Sequence, residues 1–346
     1  MGDIVVKVLS KYELDRERTG LEALPGVRFV FDDDSAYDWM VVYDDLPSIS
    51  GESLSLSSEL ISCDPSRTIL LTYEPSSIKF YGYDYVRQFA HVLTSHEVAC
   101  LSHPNRHDVP PVGLWYYGSH SDAQSLSVPP IKTRNVSVFY SGKTMSHSLH
   151  DLRHRFITGM MNRFGDNLSV YGRGYQPVEK KKTALDSYRY HIAMENHRGP
   201  HHWTEKLSDC YLGYCMPIYA GCTNVGDYFP KNSYIQVDPR CVDSAYDRIT
   251  QAIAEGYYEK NISAIIEARQ RVLSRYSLGR ILSEYVLNCE SNVSGLITPF
   301  RGSDVIYSRH LLMHKKPLAF LRYAVGKVFS RRYHRLKWRK YSQLLD

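Results

Sequence analysis

No stretch of this 346-residue sequence runs eighteen apolar residues without a break, so no segment reads as a membrane-spanning helix. The opening, MGDIVVKVLS, has neither the basic start nor the long apolar core of a secretory signal. Gly2 is not followed by Ser or Thr at position 6, which removes myristoylation. The seven cysteines, Cys63, Cys100, Cys210, Cys215, Cys222, Cys241 and Cys289, are odd in number and include no CxxC pair. That spacing speaks against a disulfide framework and against a cysteine zinc site, and it favours a reducing compartment. Repeats, low-complexity tracts and recognised nucleic-acid-binding modules are all missing. Phenylalanine is scarce, 11 against 28 tyrosines. Tyrosine pairs an apolar ring with a polar tip and suits half-wet clefts for sugars or nucleotides. Acid is missing from residues 305–345, which hold no Asp or Glu.

What remains is ordinary globular material, 43% hydrophobic and 23% charged with a net charge of +5, long enough for two domains. Short apolar runs mark strands at 4–9 (IVVKVL), 27–31 (VRFVF), 39–43 (WMVVY) and 67–74 (RTILLTYE). Runs of this kind, with segments between them, predict a mainly parallel sheet covered by helices. Residues 102–134 turn rich in Pro, Ser and His and predict a linker, with a domain junction near 130. A second α/β unit follows. It has strands at RNVSVF, NLSVYG, YRYHIAM, MPIYA and SYIQV, and helices at HDLRHRFITGMMNRF (150–164) and TEKLSDCYLGY (204–214). The expected division is 1–132, 133–300 and a basic tail at 301–346.

The stretch 188–238 is the most informative. It contains Glu195-Asn196, seven residues, Thr204-Glu205-Lys206, a helix, Pro217 to Gly221, Phe229-Pro230 and Asp238. Thr204 stands where an N-cap belongs, and a helix N-terminus carrying a lysine forms an anion site. This ordered set resembles the donor-binding signature of the family-10 glycosyltransferases, the GDP-fucose-dependent α1,3/α1,4-fucosyltransferases. Arg153 in HDLRHRF falls on the family's phosphate-binding arginine, with Arg155 as its neighbour and competitor. VYGRG (170–174) matches the family's strand followed by glycine. In the first half, LLTYEPSS places Glu74 on the family's catalytic glutamate at a strand end, where a general base must stand. GLWYYG (113–118) resembles a later Tyr-Tyr strand, and Trp115 is either an acceptor-stacking residue or a linker anchor. His202 and Trp203 depart from the family's pattern beside the donor sugar.

The resemblance implies the GT-B fold, two Rossmann-like domains facing a cleft. It implies an inverting, metal-independent enzyme that moves L-fucose from GDP-β-L-fucose to a glycan hydroxyl, as in lipopolysaccharide O-antigen synthesis, with no cofactor besides the donor substrate. Glu74 and Glu205 would be catalytic. Arg153, Glu195, Asn196, His202, Thr204, Glu205 and Lys206 would bind the GDP-sugar. Asp32-Asp33-Asp34 could be a manganese-holding DxD, with Asp44-Asp45 nearby, but an acidic cluster between early strands reads as a turn. His103, His107, His201 and His202 have no zinc-ligand spacing. In the tail, cations from Arg309 to Lys340 interleave with Leu318, Phe320, Leu321, Val325, Val328, Phe329, Leu336 and Trp338. Over 309–341 this reads as a basic amphipathic helix for an anionic membrane surface, and it resembles the tails of bacterial family members. The expected location is the cytoplasmic face of a membrane. The expected partners are a GDP-sugar and an oligosaccharide or lipid-linked acceptor, without nucleic acid.

Overall fold

The computed structural model describes residues 2–21, 24–31, 36–48, 54–111, 115–142, 149–291 and 304–342. The chain forms two compact units, 1–111 with 278–333, and 112–277 with 334–346.

In the first unit the strands are β1 (Ile4–Ser10), β2 (Val27–Val30), β3 (Trp39–Tyr43), β4 (Ser58–Leu60), β5 (Thr68–Leu71), β6 (His91–Thr94) and β7 (Arg106–Asp108). Six of them form one sheet in the order β2-β1-β3-β5-β6-β7, with every pairing parallel. All residues of β3 and β5 are buried, which explains why these strands read as unbroken apolar runs. Met40, Val42, Leu70, Tyr81, Tyr85, Phe89 and Val92 belong to one core cluster.

In the second unit β8 (Arg134–Phe139), β9 (Leu168–Tyr171), β10 (Tyr188–Met194), β11 (Met216–Ala220) and β12 (Ile235–Gln236) form a second sheet in the order β12-β11-β10-β8-β9. It too is parallel throughout. A last strand, β13 (Val305–Tyr307), pairs antiparallel with β4. Both large sheets reverse their strand order next to the first strand, between β1 and β3 and between β8 and β10. Such switch points are where open α/β sheets bind ligands, outside the carboxyl ends of the strands. Two Rossmann-like units in one chain is the architecture of the GT-B class.

The unit boundaries differ from the expected ones. The chain changes units near 111, and β7 lies inside the stretch read as linker. Residues 278–333 group with the first unit. The helix Leu278–Ser291 brings Glu290 to Trp39 Nε1 (2.8 Å) and to Arg67 (3.0 Å), long-range contacts that local patterning does not display. The tail is not a separate body either. The helix Pro317–Ser342 divides near residue 333. Its first part packs Tyr323 against Phe80 (5.6 Å), and Gly326 leaves no room for a Cβ against that same ring. Its last part buries His334 and Trp338. The outward side does present Leu318, Leu321, Val325, Val328, Phe329 and Leu336, each between 48% and 68% exposed. No helix among the described residues is long and apolar enough to cross a membrane. Asp32-Asp33-Asp34 lie outside the described residues.

Candidate functional site

At the switch point of the second sheet, β10 ends in Met194 and the chain continues into Glu195 and Asn196. Glu195 is 1% exposed. Its carboxylate accepts from Thr204 N (2.8 Å) and Thr204 Oγ1 (2.7 Å), which pins the strand end to the start of the helix Glu205–Leu212. Thr204 caps that helix through its side chain, accepting from Lys206 N at 3.4 Å. Lys206 Nζ donates to Thr204 Oγ1 (3.1 Å) and Glu205 Oε1 (3.0 Å), and lies 3.6 Å from Glu195 Oε2. Gly221, after β11, is required here, because a Cβ would fall 2.4 Å from Glu195 Cγ.

One lysine therefore serves two carboxylates, and their fates diverge. Burial holds the Glu195 carboxyl above its ordinary value despite Lys206. Burial acts on Glu205 in the same sense, but Lys206 and Lys181 overcome it and hold Glu205 down to about 2. Lys206 stays protonated, since Glu205 and Glu195 outweigh its burial. Opposite charges at this range favour the ionised forms.

Arg153 enters from the helix His150–Phe164. Its guanidinium donates to Phe139 O at the end of β8 (2.9 Å) and to Asn196 Oδ1 (3.3 Å). Both acceptors are neutral, and no carboxylate among the described residues forms an ion pair with it. Its Nε is buried without a hydrogen-bond partner. Burial pushes its pKa down, with Glu195 and Glu205 opposing. A half-buried guanidinium with no ion-pair partner among the described residues is poised for an anion. Arg155, two residues on, points to solvent and pairs with Asp151. The arrangement thus separates the two arginines that the sequence left in competition.

Two partners of this cluster escaped the sequence reading. Lys181 Nζ lies 2.7 Å from Asp209 Oδ2, and Asp209 also accepts from Tyr116 N and Tyr117 N (3.1 Å each). Lys181 sits in a Lys-Lys-Lys run that looks like a solvated face, and only the fold turns it inward. His191, on β10, bonds Ser137 Oγ (2.7 Å) and is held near 3 by burial, with Lys181 and Arg153 adding to the effect.

Beside Glu195 a cavity of about 320 Å³ opens at the carboxyl ends of β10, β11 and β12. Its lining includes Gly221, Val237 and Asp238 together with Arg198, Arg240 and Arg248. His202 is not among the lining residues. It is 2% exposed and packs edge-on against His197 (4.9 Å). Trp203 is buried against Phe229 (5.0 Å) and Tyr276 (5.2 Å). Trp115 stacks on His120 (5.0 Å) at 2% exposure, as an anchor does.

In the first unit Glu74 follows β5 as expected. Its carbonyl oxygen accepts from His96 Nε2 (2.8 Å). Its charge reaches Tyr12 and Tyr43, whose hydroxyls are raised by burial first and then by neighbouring groups that include Asp44 and Glu74. Asp44 is more than a surface turn residue. It is fully buried at the end of β3 with φ of 73°, bonded to Tyr81 Oη and to Lys79 Nζ (2.6 Å). His103 and His107 belong to this unit, whereas His201 and His202 belong to the other. His201 Nδ1 contacts Tyr228 Oη (2.6 Å).

The helix-capping Thr-Glu-Lys, the Glu-Asn at a strand end and the Pro-to-Gly strand lie within residues 130–241, which match glycosyltransferase family 10 (fucosyltransferase), C-terminal part. The family match is confined to these residues. Over 77 residues the chain is 35% identical to the alpha-(1,3)-fucosyltransferase FucT of Helicobacter pylori, covering 22% of this chain and 16% of that protein. The match therefore spans about a sixth of that relative's length. A solved alpha1,3-fucosyltransferase with GDP-fucose is similar at a TM-score of 0.49 and 15% identity, over 84% of this chain and 91% of that one. A glycosyltransferase from Rickettsia africae is similar at 0.46 and 8% identity, over 85% of this chain and all of that one. Arg153, Glu195, Asn196, Thr204, Glu205 and Lys206 all stand within the matched residues 130–241, gathered around the strand ends.

Proposed function

We propose that this chain is an inverting fucosyltransferase that moves L-fucose from GDP-β-L-fucose to a hydroxyl of an acceptor glycan, in α1,3 or α1,4 linkage, in surface-glycan synthesis such as lipopolysaccharide O-antigen. The observation that carries the reading is Arg153, a half-buried guanidinium with no ion-pair partner among the described residues, beside the Lys206 helix start in a segment that matches family 10. A diphosphate supplies the missing negative charge. As the glycosidic bond breaks, Arg153 and Lys206 neutralise the leaving phosphate, the largest expected contribution to catalysis. Glu195 fixes the helix start, and Glu205 keeps Lys206 and Lys181 charged. Asn196 orients Arg153 and hydrogen-bonds the donor. Glu74 takes the proton of the attacking hydroxyl, and displacement from the opposite face gives the α-product. The two lysines and the arginine supply the positive charge that a metal supplies in other glycosyltransferases.

The exposed apolar residues of the C-terminal helix, interleaved with Arg322, Arg331, Arg332, Arg335, Arg339 and Lys340, form the surface proposed to rest on the cytoplasmic face of an anionic membrane. Thermal unfolding tests the donor reading. GDP and GDP-fucose are expected to stabilise the chain, by about 2.7 kcal/mol at a hundred times the dissociation constant, with and without EDTA. UDP-sugars are expected to do nothing. Stabilisation by a UDP-sugar instead would overturn the assignment, and a response to GDP-mannose but not GDP-fucose would change the sugar.

A further inference from the structure

The C-terminal end of the last helix, Pro317–Ser342, forms part of the cavity beside Glu195. Tyr341 lines that cavity. Its ring lies 4.4 Å from the Arg240 guanidinium and 5.0 Å from that of Arg198. Its carbonyl oxygen accepts from Arg240 Nη1 (3.1 Å). Its hydroxyl is raised by burial first and then by the nearby Asp238 carboxylate. Arg240 in turn grips Asp238 through Nε at 2.9 and 3.0 Å. One turn earlier, Trp338 packs edge-on against His197 (5.5 Å), and Lys337 Nζ donates to Arg198 O (3.2 Å). The segment is therefore fastened to the two loops that frame the cavity, the one after β10 and the one after β12.

The lining has the chemistry of a nucleotide pocket. Three arginines face it, and only Arg240 among them is ion-paired within the described residues. Gly221 and Val237 add small, apolar lining. An aromatic ring fixed beside such lining and near cations is suited to stacking on a nucleobase, a contact worth about 1–3 kcal/mol per base. Resting on the GDP-sugar reading above, we infer that Tyr341 is a nucleotide-binding residue, its ring closing the base pocket, so that docking of the C-terminal helix end and nucleotide binding reinforce each other. Linkage makes this reciprocal: whatever frees the helix end weakens nucleotide binding, and nucleotide tightens the helix end.

The test is calorimetric titration of the full chain with GDP, with pyrophosphate measured by competition. Tyr341→Ala is expected to weaken GDP binding roughly 5- to 150-fold, leaving pyrophosphate binding unchanged, because Arg153 and Lys206 are untouched. Tyr341→Phe keeps the ring and is expected to bind GDP like the unaltered chain. Equal weakening of GDP and pyrophosphate by Tyr341→Ala would overturn the inference, because the helix end would then merely support the fold. So would unchanged GDP binding in that variant. Failure of the unaltered chain to bind GDP would overturn the donor reading itself and this inference with it.

Discussion

Arg153→Met separates a binding role from a structural one. Most buried charges are paired, and removing one partner of a buried pair costs about 3–5 kcal/mol because the other is left uncompensated. Arg153 has no such partner among the described residues: it donates to Phe139 O and Asn196 Oδ1, with Nε unsatisfied. The substitution forfeits two hydrogen bonds donated by a charged group, about 1.5–3 kcal/mol each. Against this it removes the cost of burying a guanidinium and an orphaned donor, of similar size or larger. Stability in urea is thus expected to stay within about 1 kcal/mol of the parent, or to rise. Transfer should fall by about 10²–10³, the usual consequence of removing one donor to a developing oxyanion. The assays are equilibrium unfolding without nucleotide and the initial rate of GDP release with saturating acceptor. A variant that unfolds by more than about 3 kcal/mol with GDP binding intact would refute the reasoning, since Arg153 would then be a structural ion.

Other perturbations give equally definite outcomes. Glu74→Gln should lower the transfer rate by about 10²–10⁴ with GDP affinity unchanged in calorimetry, because Glu74 belongs to the other unit. Glu205 is held to about 2 against an ordinary 4.5. A depressed carboxyl contributes stability that is present above about 4.5 and lost as pH falls toward 2. Urea midpoints from pH 6 to 3 should therefore fall more steeply for the parent than for Glu205→Gln. Gly221→Ala puts a carbon 2.4 Å from Glu195 Cγ. It should cost about 1–3 kcal/mol in overpacking and weaken GDP binding by displacing Glu195 from Thr204.

Much of this was legible in the sequence. The buried strands announced themselves because both faces of a parallel sheet are covered, so WMVVY and ILL had to be apolar. The segment from Glu195 to Lys206 was legible because its residues act locally, a strand end tied to the next helix cap by a loop of a few residues. What stayed hidden depends on contacts between distant parts of the chain. Lys181 is drawn inward by Asp209, and nothing in a lysine run says which member will turn inward. Glu290 meets Trp39 across most of the chain, so residues 278–333 joined the first unit unannounced. Tyr341 lay in a tail whose cations dominated its reading, and the half-buried side of its helix emerged only when His197, Arg198 and Arg240 supplied the surface beneath. Asp44 read as a turn residue because its partners, Lys79 and Tyr81, arrive from after the next sheet strand.

The most direct measurement is transfer itself, following GDP-β-L-fucose and a panel of surface-glycan acceptors by proton NMR. The account predicts acceptor-dependent release of GDP in the presence of EDTA, with new anomeric signals of α-linked fucose. A β-linked product would contradict the displacement by way of Glu74. No turnover of GDP-fucose, alongside turnover of a UDP-sugar, would contradict the role given to Arg153 and Lys206 in holding a GDP-sugar.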